Sequence, residues 1–221
     1  MKTSELPSNV LRFISAGVMA LALVGIIALE SWVPYIHVVR WVSVIVVLGA
    51  IYEMFRCLKN VNAEVFSKHA SYFIIFTVML FLMLVSAYFV GGHPWIMLWL
   101  LMIIVGADVG GWLFGLIFGG DKMWERLSAH KTWSGQIGGI ICGTAMSLLY
   151  GKIGVHNFMP ELIWIGISVS LLSQYGDLTA SFVKRRLNIK DFSNLLPGHG
   201  GIMDRFDGWI YVLPLIWFMI R

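Results

Sequence analysis

The chain has 221 residues, 58% of them hydrophobic and 13% charged, with a formal net charge of +4 and a mean hydropathy of +0.80. That balance excludes an ordinary soluble domain, in which about a quarter of residues are charged. Hydrophobic runs near bilayer length recur along almost the whole sequence, so the expectation is an all-α polytopic membrane protein, one integral membrane domain over residues 1–221.

The first run, Leu11–Leu29, has the outline of a secretory leader. It lacks a small-residue cleavage site and further spans follow, so it reads as a retained helix. Six more spans are expected at Val38–Phe55, Ser71–Val90, Pro94–Phe118, Gly135–Tyr150, Leu162–Val183 and Phe206–Ile220, about seven transmembrane helices in all. Several later spans are short or interrupted by glycine, which predicts a kinked or half-crossing helix among the fourth to seventh. Cys57 and Cys142 stand far apart, match no CxxC spacing and read as packing residues. Sorted by alternate loops, thirteen Lys and Arg fall on one side and only Arg40, Lys152 and Arg221 on the other. That asymmetry predicts a cytoplasmic N-terminus, a cytoplasmic loop after the sixth span and an outer C-terminus. Basic loops facing anionic headgroups explain the net charge, which is therefore no argument for a nucleic-acid partner.

The informative residues are polar ones where a bilayer penalises them. Asp108 interrupts the fourth span, and Gly111, Gly115 and Gly119 follow it at helical spacing. In the fifth span Gly135, Gly139, Gly143 and Ser147 recur every four residues and predict a packing seam. Ser170, Ser173, Gln174, Asp177 and Ser181 share one face of the sixth span, and Lys184 continues that face into the loop. Such a strip must face protein or water. Taken singly, hydroxyls and glycine stripes in membrane helices usually serve backbone bonding and packing. An ionisable group inside a span marks a functional site by default. Asp204 and Asp207 open the last span, where acids also suit a helix N-terminus.

The expected orientation lets Asp108, Asp177, Asp204 and Asp207 converge at the cytoplasmic side. Carboxylates beside Ser and Gln oxygens suit a hard cation such as Mg²⁺, and no His/Cys spacing suggests zinc. Lys184, Arg185, Arg186, Lys190, His199 and Arg205 read as partners for several phosphates, with Gly198, Gly200 and Gly201 letting backbone amides approach an anion. A metal, a basic cage and a membrane location together point to phosphoryl or nucleotidyl transfer on a lipid. An acceptor that is itself a phosphate needs no strong base, which fits a sequence without a Ser-His-Asp or Cys-His constellation.

From Ser181 to Asp207 the sequence reads SFVKRRLNIKDFSNLLPGHGGIMDRFD. This stretch resembles the complete signature of the phosphatidate cytidylyltransferases, also called CDP-diacylglycerol synthases. SQYGDLTAS (Ser173–Ser181), Asp108 with its following Gly pair and SAHKTWSGQIGG (Ser128–Gly139) are also similar to that family. The resemblance is strong over roughly the C-terminal half, residues 94–221, and weak over the spans of 1–93. It implies transfer of a cytidylyl group from CTP to phosphatidic acid, with Mg²⁺ and a second cation such as K⁺, in a homodimeric multi-pass enzyme of the bacterial inner membrane whose active site faces the cytoplasm. By motif, Asp177 and Asp204 would be the principal metal ligands, with Asp108 and Asp207 as further candidates and Asp108 supporting the polar cavity. Lys184 and Arg205 would act in catalysis together with those acids. Arg185, Lys190, His199, Gly200 and Gly201 would bind substrate phosphates, as would Ser173 and Ser181 on the helix, and Lys131 and Thr132 would belong to the nucleotide-side loop. Three departures stand out: Ser128-Ala129 where the family usually has Ser-Pro, Ser134 where it has Glu, and Trp112 where it has Tyr. The chain is also shorter than many relatives, which implies one or two fewer N-terminal spans.

Two rival activities share these features. A CTP-dependent polyprenol or dolichol-type lipid kinase would use an alcohol acceptor and so need a base. An ion-coupled membrane transporter would also carry intramembrane Asp residues and broken helices, but here the polar groups crowd one side only.

Overall fold

A computed structural model describes residues 25–26, 29–30, 37–61, 63–124, 128–155, 160–195 and 200–221. The expected first span, Leu11–Leu29, lies almost wholly outside the described residues. The described chain forms α1 (Val38–Lys59), α2 (Ala63–Val90), α3 (Pro94–Phe118), β1 (Lys122–Trp124), β2 (Ser128–Thr132), α4 (Trp133–Tyr150), α5 (Glu161–Arg186), α6 (Met203–Phe206) and α7 (Trp209–Ile220). A π-helical turn, Gly151–Val155, follows α4. The architecture is all-α, as expected, with one addition: β1 and β2 pair as a small antiparallel hairpin in a segment read from sequence as a plain loop.

Helices α1, α2 and α3 are long and apolar enough to cross a bilayer. Their outer faces carry exposed Trp41, Ile45, Tyr52, Ile74, Val78, Trp112 and Leu116. In water each such side chain would forfeit up to about 1.5–3 kcal/mol of burial free energy, a cost that hydrocarbon removes. The last expected span, Phe206–Ile220, is interrupted at Asp207-Gly208, and the 12-residue α7 contains Pro214. Twelve helical residues rise about 18 Å, short of the ~30 Å hydrocarbon core.

The chain packs as two compact units, Met1–Pro94 with Arg186–Phe206, and Trp95–Arg185 with Asp207–Arg221. In the first, α1 and α2 bury Val47, Met54, Phe73, Phe76, Leu80 and Met83. Phe192, from the loop after α5, joins this core and stacks on Phe76 with ring centroids 6.4 Å apart.

In the second unit, α4 presents the predicted glycine seam. A Cβ at Gly135 would stand 2.7 Å from the Gly111 carbonyl oxygen, and one at Gly139 would stand 2.8 Å from that of Ala107. Only a missing side chain lets the backbones of α3 and α4 come this close. On its other flank α4 meets α5, where Ser147 Oγ donates to the Leu162 carbonyl at 2.8 Å and Gln174 Nε2 donates to that of Gln136 at 3.4 Å. The break before α7 falls where its backbone presses on α5: a Cβ at Gly208 would stand 2.8 Å from Ser173 Oγ.

Candidate active site

The signature stretch Ser181–Asp207 begins on α5 and ends at the break before α7. In the first unit its central part is held by two carboxylates. Asp204 Oδ2 accepts from the backbone N–H groups of Phe192 at 2.8 Å and Gly201 at 3.0 Å. Glu53 of α1 accepts from Ser193 Oγ at 2.6 Å, from the Ile202 N–H at 3.0 Å and from the Met203 N–H at 2.9 Å. The Gly-Gly pair serves this fold-back. Gly200 has φ +81°, a left-handed conformation that favours glycine. A Cβ on Gly201 would stand 2.5 Å from Glu53 Oε2. Arg205 and Lys190 of this unit are exposed. Gly198 and His199 lie outside the described residues.

Glu53 is absent from the residues singled out by sequence. Its signal was available: it is the one acid inside the apolar run Val38–Phe55, and an acid in such a run marks a site.

The second unit builds the polar face of α5. Asp177 is half-buried, and its Oδ2 lies 2.5 Å from Lys131 Nζ at the end of β2. Ser181 Oγ donates to Asp177 Oδ1 at 3.4 Å, a long contact one turn further on. The hairpin fixes where Lys131 stands. Thr132, next in sequence, caps α4 by accepting the Gly135 N–H on its Oγ1 at 3.1 Å, which satisfies one of the unpaired amides of a helix start. Thr132 Oγ1 also contacts Ser134 Oγ at 3.0 Å, and the Ser134 hydroxyl donates to the Gly119 carbonyl. Ser134, which stands where the family usually has Glu, thus ties the end of α3 to the start of α4.

Asp207, at the break before α7, accepts the Gly208 N–H at 2.9 Å. Asp177 and Asp108 act on it as like charges and Lys184 as an opposite one, so four of the residues singled out by sequence share one electrostatic neighbourhood. Asp108 is exposed on α3, Lys184 is half-buried near the end of α5, and Arg185 is exposed beside it. Deeper on the same face Ser170 and Ser173 are buried, and neither hydroxyl has a hydrogen-bond partner among the described residues.

The donor chemistry can be tested against a divalent cation. Among the described residues, no group of three or more His, Cys, Asp or Glu could encage a metal ion alone. The groups gathered around Asp207 are carboxylates, the donor type that a hard ion such as Mg²⁺ takes in small number beside water and phosphate oxygens. The Asp204 carboxylate, oriented by two amides, has the hydrogen-bonded setting usual for a ligating carboxylate.

Over 116 residues the chain is 39% identical to a phosphatidate cytidylyltransferase of Staphylococcus epidermidis, covering 52% of this chain and 45% of that protein. Over 125 residues it is 38% identical to one from Mycobacterium leprae, covering 55% and 39% respectively. Over 121 residues it is 39% identical to one from Staphylococcus aureus, covering 54% and 46%. The chain spans under half the length of these curated relatives. The sequence pattern of the cytidylyltransferase family, by contrast, matches residues 3–221. With a match that runs over nearly its whole length, this chain belongs to the cytidylyltransferase family.

Proposed function

We propose that the protein transfers the cytidylyl group of CTP to phosphatidic acid, giving CDP-diacylglycerol and pyrophosphate, in a bacterial membrane and at its cytoplasmic face. One observation carries the reading within the family. The Lys131–Asp177 pair brings the cation of the hairpin to the carboxylate on the polar face of α5, so a phosphate-seeking group and a metal-seeking group stand together.

In the proposed reaction an oxygen of the phosphatidate phosphate attacks the α-phosphorus of CTP in line. A new P–O bond forms, and the bond from the α-phosphorus to the bridging oxygen of the β-phosphate breaks, releasing pyrophosphate. The acceptor oxygen is already anionic near neutral pH, so no side chain has to remove a proton from it. The work left to the protein is positioning and charge neutralisation. Lys131, held by the capped start of α4, engages the nucleotide phosphates, and Lys184 balances the acids around Asp207. Arg185, Lys190, His199 and Arg205 are assigned to the remaining phosphate charge. Asp177 and Asp204 are the assigned metal ligands, with Asp108 and Asp207 as further candidates. Mg²⁺, when bound, supplies Lewis-acid neutralisation of the phosphate oxygens. The membrane lipids supply the acceptor, and a second copy of the chain is the expected partner.

The experiment is a transfer assay with purified protein, phosphatidic acid and CTP labelled at either the α- or the γ-phosphate, with and without EDTA. The α-label should appear in lipid and EDTA should abolish it. Label reaching lipid only from the γ-phosphate would make the protein a lipid kinase instead.

A further inference from the structure

We propose that Glu53 is a positioning residue of the metal site: from α1 it fixes the turn that carries Asp204, and through that turn the affinity for the divalent cation. The inference rests on the reading of Asp204 as a metal ligand of a cytidylyl transferase.

The starting point is an expense that packing alone does not explain. Glu53 is only 4% exposed in an apolar helix, where a carboxylate is tolerated only if its oxygens are hydrogen-bonded. The donors come from the signature loop: Ser193 Oγ and the N–H groups of Ile202 and Met203. Asp204 draws on the same two strands of loop, taking the amides of Phe192 and Gly201. The two acids thus take adjacent donors from each strand. Phe192 goes to Asp204 and Ser193 to Glu53; Gly201 goes to Asp204, and Ile202 and Met203 go to Glu53. Moving one carboxylate shifts the backbone that orients the other.

The rest of α1 is shaped for this contact. Gly49, Glu53 and Cys57 are spaced by four and share one helical face. A Cβ on Gly49 would stand 2.8 Å from Ile202 Cδ1, and Cys57 Sγ donates to the Phe192 carbonyl at 3.2 Å. Gly201 in turn has no side chain where Glu53 Oε2 approaches. A loop that only needed tethering could be held by a neutral amide, without the cost of burying a charge. Groups that orient a ligating carboxylate typically change metal affinity roughly 10–100-fold when altered.

The test uses the full-length protein in detergent with Mn²⁺ as a spectroscopic probe, titrated by electron paramagnetic resonance, beside the Mg²⁺ dependence of cytidylyl transfer. Glu53→Gln keeps the size of the side chain but turns one acceptor into a donor facing donors. It should weaken Mn²⁺ binding about tenfold or more and raise the half-saturating Mg²⁺ concentration by the same factor. Turnover at saturating Mg²⁺ should stay within about threefold of wild type. Ser193→Ala, which leaves Glu53 its two amides, should shift both quantities the same way by about threefold. In an Asp204→Asn background Glu53→Gln should add nothing further. Unchanged Mn²⁺ affinity in Glu53→Gln overturns the proposal, as does lost turnover without a metal shift, or a wild-type protein that binds no Mn²⁺. Should Glu53→Gln fail to fold, unchanged affinity in Ser193→Ala overturns it equally. A protein that shows the Mn²⁺ shifts yet moves no label from CTP leaves the positioning role standing and removes the cytidylyl-transfer reading.

Discussion

The signature loop of the first unit and the polar face of α5 in the second both place acids among apolar helices, and they neutralise them by opposite means. In the loop, Glu53 and Asp204 are met by backbone amides and a serine hydroxyl, donors fixed by the course of the chain. On α5, Asp177 is met by the end of a lysine side chain, and Ser170 and Ser173 are buried with no hydrogen-bond partner among the described residues. Fixed dipoles cost no reorganisation during a reaction, whereas a lysine can exchange one anion for another by rotating its own bonds. In the proposed reaction the loop serves as scaffold and the α5 face as the place where charges are traded.

Breaking the α5 side should have the largest effect. With the metal-ligand role proposed for Asp177, Asp177→Asn should lower cytidylyl transfer at least about 100-fold, because such a ligand contributes several kcal/mol to a phosphoryl transition state. The fold should persist, since a half-exposed ion pair adds only about 0–1 kcal/mol to stability. A near-normal rate in the purified variant would remove Asp177 from the site. In stability, adding Lys131→Met to Asp177→Asn should cost less than Lys131→Met alone, because there both changes act on one ion pair.

A change on the scaffold side should be smaller and should read out as loosening. Gly201→Ala drives a methyl group into the Glu53 carboxylate. The expected loss is about 1–3 kcal/mol, the cost of disturbing buried hydrogen bonds. It should appear as a lower thermal midpoint and faster tryptic cleavage after the exposed Lys190. Wild-type protection at Lys190 would mean that the approach of Glu53 to the loop is not what holds it.

The smallest effect sharpens the contrast. Ser173 is 1% exposed and its hydroxyl has no hydrogen-bond partner among the described residues, so Ser173→Ala should change stability by under about 1 kcal/mol. A thermal shift equivalent to about 2 kcal/mol or more would reveal a bound partner for that hydroxyl, such as an internal water.

Much of this arrangement is legible from sequence, for reasons that differ by element. Helix α3 begins and ends where expected, at Pro94 and Phe118, because proline opens it and Gly119-Gly120, both with positive φ, close it. The seam of α4 is legible because a four-residue glycine period has few other uses in a membrane helix. Three features were not. The hairpin carries no alternating pattern in so short a stretch. The interruption at Asp207-Gly208 falls where the backbone packs closely on Ser173 and Gly176 of α5, a contact that no local signal announces. The pairing of Lys131 with Asp177 was equally invisible, since 46 residues separate them in sequence.

The closeness of the α3 and α4 backbones sets how this part of the protein tolerates change. Gly135, Gly139 and Gly143 are buried, while Trp133, Ile137 and Ile141 are exposed on the same helix. A saturation library of α4 should therefore show a beat of four: positions where even alanine is purged, set between positions where any greasy residue survives. Tolerated substitution in this helix should be confined to its exposed side, and the hairpin residue that meets Asp177 inherits a foundation with almost no freedom to wander.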